Sequence, residues 1–309
     1  LKSADYTIVK RSARQSFKRT PKELFFFQGF FYAFHSDSGG KFFMKYFFVC
    51  LWIFIFLVFF SGCSHSNNLQ IIKSANEAHY NLTTAGLKSF SCKIKVKELN
   101  EMAQHLRDVK PGDQTKSAVK SYLIDYLNNV QILATLKNDG DLNLELSSNV
   151  DTGIEALDQR FESLTDGAKG IARSFLGIWG ELTFQTIFSD IGPNFNVADK
   201  QNSYFVAYGQ DNIDVNARLT KEGRLTEFTT RTREGNINFK TNFLNTDKGF
   251  LLKDYKVSLS DESIEISAQI DYRQIDGFYL PQTVNILNSY KTGPVGLTLS
   301  FSDYKLEKY

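Results

Sequence analysis

The chain has 309 residues, with 36 Lys/Arg against 34 Asp/Glu and a formal charge of +2. The charge is unevenly spread: residues 1–45 hold nine basic and three acidic residues, 46–62 hold none, and 63–309 hold 27 basic and 31 acidic. The basic excess therefore lies wholly ahead of an apolar run, and the sequence pI of about 8.3 gives no support to nucleic-acid binding.

Residues 1–43 show neither a helical nor a strand period, and 15 of the 28 Phe fall within residues 1–62. Residues 46–60, YFFVCLWIFIFLVFF, are fifteen apolar residues in a row. A bilayer-spanning helix needs about 20. A signal-peptide core needs about 7–15, after positive charge and before small residues. Met44-Lys45 and Ser61-Gly62 supply those flanks. The expectation is a start at Met44, a signal peptide over 44–62, and an upstream non-native extension over 1–43. The alternative is a cytosolic tail on an uncleaved anchor.

Phe60-Ser61-Gly62-Cys63 resembles the lipobox of bacterial lipoproteins: a bulky apolar residue, two small ones, then Cys. Phe60 stands where that pattern usually has Leu. The resemblance implies that the Cys63 thiol takes a diacylglyceryl group and that the chain is cut between Gly62 and Cys63. The new terminal amine can then take a third acyl chain. Two or three chains, at about 0.8 kcal/mol per buried methylene, anchor a protein durably. Residues 63–80 are then a lipidated N-terminus and tether. Ser64, in place of the Asp that retains enterobacterial lipoproteins at the inner membrane, implies the periplasmic face of the outer membrane, with the inner membrane as the alternative. Of the cysteines Cys50, Cys63 and Cys92, only Cys92 would remain free, so no internal disulfide is expected.

Residues 81–309 read as a single domain. The tether passes into a helix before residue 80. In KSFSCKIKVK, Phe90, Cys92, Ile94 and Val96 alternate with polar residues, the period of a half-buried strand. AVKSYLIDYLNN is a helix candidate and VQILATLK a strand, followed by a turn at Asn138-Asp139-Gly140 and a second strand in DLNLELSS. Thr152 and Glu155 form a capping-box pattern. After them Ile154, Leu157, Phe161, Leu164, Ala168, Ile171, Phe175, Ile178 and Leu182 recur at steps of three and four. Gly167, Gly170, Gly177 and Gly180 interrupt that stripe and predict two helices with a bend near Gly167–Gly170. From Tyr204 onward eight strand-like segments, the first SYFVAYGQ and the last GLTLSFSDYKL, alternate with short polar turns, an antiparallel meander. The expected fold is α+β: a strongly curled antiparallel sheet of about eleven strands, a half-barrel, under a helical lid.

Asp276-Gly277-Phe278-Tyr279-Leu280-Pro281, with the strand from Leu87 to Val96, resembles the outer-membrane lipoprotein carrier and receptor (Lol-type) superfamily. The resemblance implies a cavity between sheet and lid that holds acyl chains. Ile94, Phe175, Trp179, Phe184, Ile264, Ile266 and Ile270 are the candidate cavity residues. The implied role is binding an apolar ligand, acyl chains or a lipoprotein's lipid, in lipoprotein sorting or envelope maintenance. The alternative is a structural or regulatory interaction module with a filled core.

Catalytic motifs are missing from the sequence. His65, His79 and His105 are the only histidines after residue 62, and there is no H-E-x-x-H, C-x-x-C, G-x-S-x-G or phosphate-cradling loop. The expectation is a non-enzyme without cofactor or metal, its partners being the membrane through its acyl chains and a lipid or lipoprotein ligand, with no nucleic acid. Asn81-Leu82-Thr83 matches a glycosylation triplet, and Arg224, Arg231 and Arg233 bracket a hairpin, with a wet strand edge as the default reading.

Overall fold

The computed structural model describes residues 67–109, 114–148, 150–189, 191–210, 213–232, 235–259, 264–290 and 293–309. Helix α1 covers 67–78. It is followed by β1 (Leu87–Val96), α2 (Lys97–Asp108), α3 (Gln114–Asn129), β2 (Gln131–Lys137), β3 (Leu142–Ser147) and α4 (Glu155–Phe184). Nine strands follow among the described residues: β4 (Phe195–Lys200), β5 (Ser203–Gln210), β6 (Ile213–Thr220), β7 (Leu225–Thr232), β8 (Gly235–Thr246), β9 (Gly249–Leu259), β10 (Ile264–Ile275), β11 (Phe278–Tyr290) and β12 (Gly293–Lys308).

All twelve strands join one sheet in the order β3-β2-β1-β12-β11-β10-β9-β8-β7-β6-β5-β4. Every named pairing is antiparallel. The sheet is open, with β3 and β4 as its two edges, which corrects the expected strongly curled half-barrel of about eleven strands. Helix α4 packs on the part of the sheet that holds β1–β3, β10 and β12, and α1 meets the β6–β7 and β8–β9 turns, so no single lid has to be wrapped. The additional strand is β4, FNVADK, a six-residue edge strand with no fully buried position. Such a strand carries little hydrophobic alternation, which is why its sequence gives no clear signal.

The last strand pairs with the first, Ile94 of β1 opposite Phe301 of β12, so the N-terminal hairpin strands extend the C-terminal meander. The turns at 138–140, 201–202, 221–224, 247–248 and 276–277 lie along one rim of the sheet, here the lower rim. At the opposite, upper rim β1 runs directly into α2. Asp276 and Gly277, in the tight β10–β11 turn, both have positive φ (51° and 87°), a conformation that Asp and Gly tolerate best.

Side chains alternate across this sheet. Val206, Ala217, Phe228, Phe239 and Val257 form one cross-strand file on the dry face, joined pairwise by register. Their neighbours Asn216, Glu227, Lys240 and Lys256 belong to the wet face. A large core runs from Leu87 and Phe90 through Phe175, Trp179 and Leu251 to Leu299. A smaller one, Ala103, Tyr126, Leu127, Val130 and Phe161, joins the α2–α3 hairpin to the start of α4.

Helix α4 is continuous over 30 residues, in place of the two bent pieces expected. Its buried residues Phe161, Ala168, Ala172, Phe175, Leu176 and Trp179 lock it to the rest of the fold, and that packing outweighs the cost of four glycines. The expected box at its start closes differently. The Thr152 hydroxyl donates to Asp158 Oδ1 at 2.8 Å and accepts the Ile154 N–H at 3.1 Å, so Asp158 takes the part assigned to Glu155. At the other end neither Gly nor a basic side chain caps the helix. Instead Leu82 N–H donates to Thr183 O at 2.7 Å, and Asn81 Nδ2 and Thr83 Oγ1 donate to Phe184 O at 3.1 and 2.8 Å. The triplet that resembles a glycosylation acceptor thus supplies donors to carbonyls that would otherwise lack them.

Candidate functional site

Residues 44–66, with the signal peptide and the expected lipidation and cleavage positions Gly62 and Cys63, lie outside the described residues, as does the extension before them. The site that can be built from side chains is the interface of α4 with the sheet.

Ile94 on β1 is fully buried, opposite Phe301 of β12 on one side and Ile132 of β2 on the other. Phe175, Trp179 and Phe184 point from α4 into the same core and are 0–3% exposed. Ile270 on β10 is buried in it too, while Ile266 is half-buried at its margin and the side chain of Ile264 lies outside the described set. The fold therefore gathers Ile94, Phe175, Trp179, Phe184 and Ile270 into one cluster and sets Ile266 at its edge.

Four residues that the sequence reading did not assign to this site complete it: Phe90, Tyr272, Phe301 and Tyr304. Phe90 meets Trp179 edge-on at 5.9 Å and stacks on Phe184 at 6.2 Å. Phe175 meets Phe301 at 5.9 Å, and Phe90 meets Tyr304 at 5.6 Å. Offset and edge-on rings favour these separations. The Trp179 Nε1–H donates to the Tyr272 hydroxyl at 3.0 Å, so the indole is satisfied inside the core. Burial pushes the Tyr272 and Tyr304 phenols up, and that of Tyr255 likewise. At these positions the interval between helix and sheet holds the protein's own aromatic rings. One recess beside it, lined by Ile94, Val96, Leu99, Val130, Leu146 and Ala168, leaves no room for a water-sized sphere.

Beneath the rings, Arg273 Nη2 donates to Phe301 O at 3.3 Å, and the guanidinium lies 5.3 Å from the Tyr304 ring centre. Burial pushes the Cys92 thiol up to about 12, with Arg273 opposing the shift. A thiol so protonated is a poor nucleophile.

At the lower rim His79 closes α1 onto the sheet. Its Nδ1 bonds Ala75 O at 2.8 Å, and its Nε2 accepts the Leu225 N–H at 3.3 Å. This pattern fixes a neutral imidazole with the proton on Nδ1. Burial, and secondarily Arg224, lower its pKa to about 4. The ring meets Phe243 and Phe250 edge-on at 4.8 and 5.4 Å. His79 is thus a structural clasp. His105 is exposed on α2, and His65 lies outside the described residues. Arg224 lies over Phe250, Arg231 Nε bonds Asn236 Oδ1 at 3.3 Å, and Arg233 lies outside the described residues.

Among the described residues, no three His, Cys, Asp or Glu side chains converge as metal ligands would, and no helix is long and apolar enough to cross a membrane. Exposed apolar side chains include Met102, Val109, Val119 and Tyr122 on the α2–α3 hairpin, with others such as Leu69, Ile154 and Tyr309 elsewhere. No family model matches this chain, and no similarity is found to a curated protein or to a solved structure.

Proposed function

We propose that this chain is a bacterial lipoprotein, anchored by acyl chains on Cys63 and facing the periplasm, that works without catalysis as an interaction module of the cell envelope. Of the two roles weighed from the sequence, ligand carrier and interaction module, the second is favoured by one observation. Phe90, Phe175, Trp179, Phe184, Tyr272 and Phe301 occupy the interval between helix and sheet with mutual ring contacts and a satisfied indole. To admit an acyl chain, α4 would have to lift off these rings. Burial of one such aromatic side chain is worth about 1.5–3 kcal/mol, so that opening is costly.

The anchor is supported by the order charge, apolar run, small pair, cysteine over Met44–Cys63. The outer membrane follows from Ser64, by the enterobacterial pattern.

Two measurements test the reading. The intact mass of membrane-extracted protein should correspond to a chain beginning at Cys63 plus its acyl groups. Purified residues 64–309 should show no fatty-acid-displaceable binding of a hydrophobic fluorophore, whereas site-specific photocrosslinking in the envelope should trap a protein. Saturable, displaceable binding with one site per chain would return the role to that of an apolar-ligand carrier.

A further inference from the structure

We infer that the lower rim of the sheet, at the turns that contact α1 and those beside them, is the surface that lies against the head groups of the anchoring membrane, and that the α2–α3 hairpin is held at the far side. The inference rests on the acylated Cys63 of the proposed function.

It follows from chain length and from where α1 meets the sheet. Only four peptide steps separate Cys63 from residue 67, and a chain reaches at most about 3.3–3.6 Å per residue, or roughly 14 Å. Helix α1 then lies along the folded body, with Ile72 and Ala75 buried. It is fixed at the lower rim by three close approaches. A Cβ on Gly223, in the β6–β7 turn, would lie 3.1 Å from Ala75 Cα, and one on Gly249, at the β8–β9 turn, would lie 2.6 Å from Ala78 O. His79 next bridges to Phe250. Residue 67 is eight helical steps from Ala75, about 12 Å at 1.5 Å per residue.

The hairpin is reached only by crossing the sheet. β1 runs ten residues from the lower rim to the start of α2, about 33 Å of strand. α2 adds twelve residues beyond it. A tether this short holds the lower rim near the lipid surface and leaves the hairpin, with exposed Met102, Val109, Val119 and Tyr122, outward.

The turns of the rim fit a head-group layer, and the exposed Tyr309 beside them and Leu69 on α1 suit its apolar boundary. Lys221 pairs with Asp199, Lys308 with Asp276 at 3.1 Å, and the Tyr279 hydroxyl bonds Asp247 at 2.9 Å. Among the described residues, the turns at 201–202, 221–224, 247–248 and 276–277 carry no exposed large apolar side chain. Opposite charges alternate there, so the contact does not require an anionic lipid.

The test uses the full chain, processed and purified from membranes, in phosphatidylcholine vesicles doped with a lipid carrying a nitroxide on its head group. Cys92 is buried, so one introduced cysteine takes the fluorophore. Gln201→Cys reports the lower rim and Gln104→Cys the hairpin, with Lys248→Cys and Glu101→Cys as second choices on the same surfaces if either fails to fold. The label at 201 should lose most of its emission to the nitroxide, and the label at 104 should keep it. Inserting about twelve Gly/Ser residues after Ser66 adds roughly 20 Å of reach and should remove most of that contrast. Equal or reversed quenching in protein whose mass shows acylated Cys63 overturns the orientation alone, and a contrast that survives the insertion overturns the short tether as its cause. A mass without acyl groups overturns the anchor and the orientation together.

Discussion

The indole N–H of Trp179 and the hydroxyl of Tyr272 lie 3.0 Å apart, and this hydrogen bond joins the C-terminal part of α4 to β10. Trp179 is 0% exposed, so no water can replace the acceptor. Tyr272→Phe should leave a buried donor unsatisfied and cost about 1–3 kcal/mol. Adding Trp179→Phe removes the donor as well, so the double variant should lose less than the sum of the two single losses. Urea denaturation of the four proteins measures this cycle, and strictly additive losses would show that the bond contributes nothing.

His79 makes stability depend on pH in a known direction. Burial lowers its folded pKa to about 4 from the ordinary 6.5. The neutral ring is therefore favoured by folding, and its contribution is complete above about pH 6.5. As pH falls from there toward 4, the unfolded chain takes up a proton that the folded chain does not. A shift of this size is worth about 3 kcal/mol by linkage. His79→Gln keeps a donor and an acceptor but does not titrate. Wild-type stability should fall by about that amount more than the variant's between pH 7 and 4, and parallel profiles would falsify the assignment.

The glycines of α4 should not behave alike. A Cβ on Gly170 or Gly177 meets nothing within 4 Å. Either one changed to Ala should raise stability by up to about 1 kcal/mol, the helix-propensity difference. On Gly180 the new Cβ would lie 2.9 Å from Leu136 Cδ2, and Leu136 is itself 1% exposed. Gly180→Ala should therefore cost about 1–3 kcal/mol, as overpacked cores do. Thermal melts of the three variants give the comparison; equal shifts would mean that α4 does not approach β2 this closely.

Cys92 should be silent to thiol reagents in the folded protein. It is 4% exposed, and burial pushes its pKa up to about 12. A chromogenic disulfide reagent at pH 8 should react with it only at the rate of unfolding, accelerating with denaturant; prompt reaction in buffer would contradict its place in the core.

Strand positions were legible where alternation was strong. SYFVAYGQ coincides with β5, and the remaining segments to LTLSFSDYKL fall on β6–β12 within a few residues, because one face of each is dry and the other wet. Two elements had weaker signals. β4 is a short edge strand without a fully buried residue, and α2 buries only Ala103, so neither needed a full apolar stripe. The bend expected in α4 came from counting glycines locally. Helix propensity is worth about 1 kcal/mol at each of them, whereas the packing of Trp179, Phe175 and Leu176 is worth more and acts from outside the helix.

What the sequence determined by itself was local: the break in charge and hydropathy near Cys63, the capping polar residues ahead of α4, and the two-residue period of most strands. These depend on neighbours a few positions apart. Tertiary structure alone decided that β1 pairs with β12, that twelve strands form an open sheet, that Asn81–Thr83 supplies donors to the end of α4, and that Phe90, Tyr272 and Phe301 meet Trp179 and Phe175 in a filled interior. Those pairings join residues far apart in the chain. Their energy comes from burying surface and satisfying polar groups against partners whose identity no local pattern encodes.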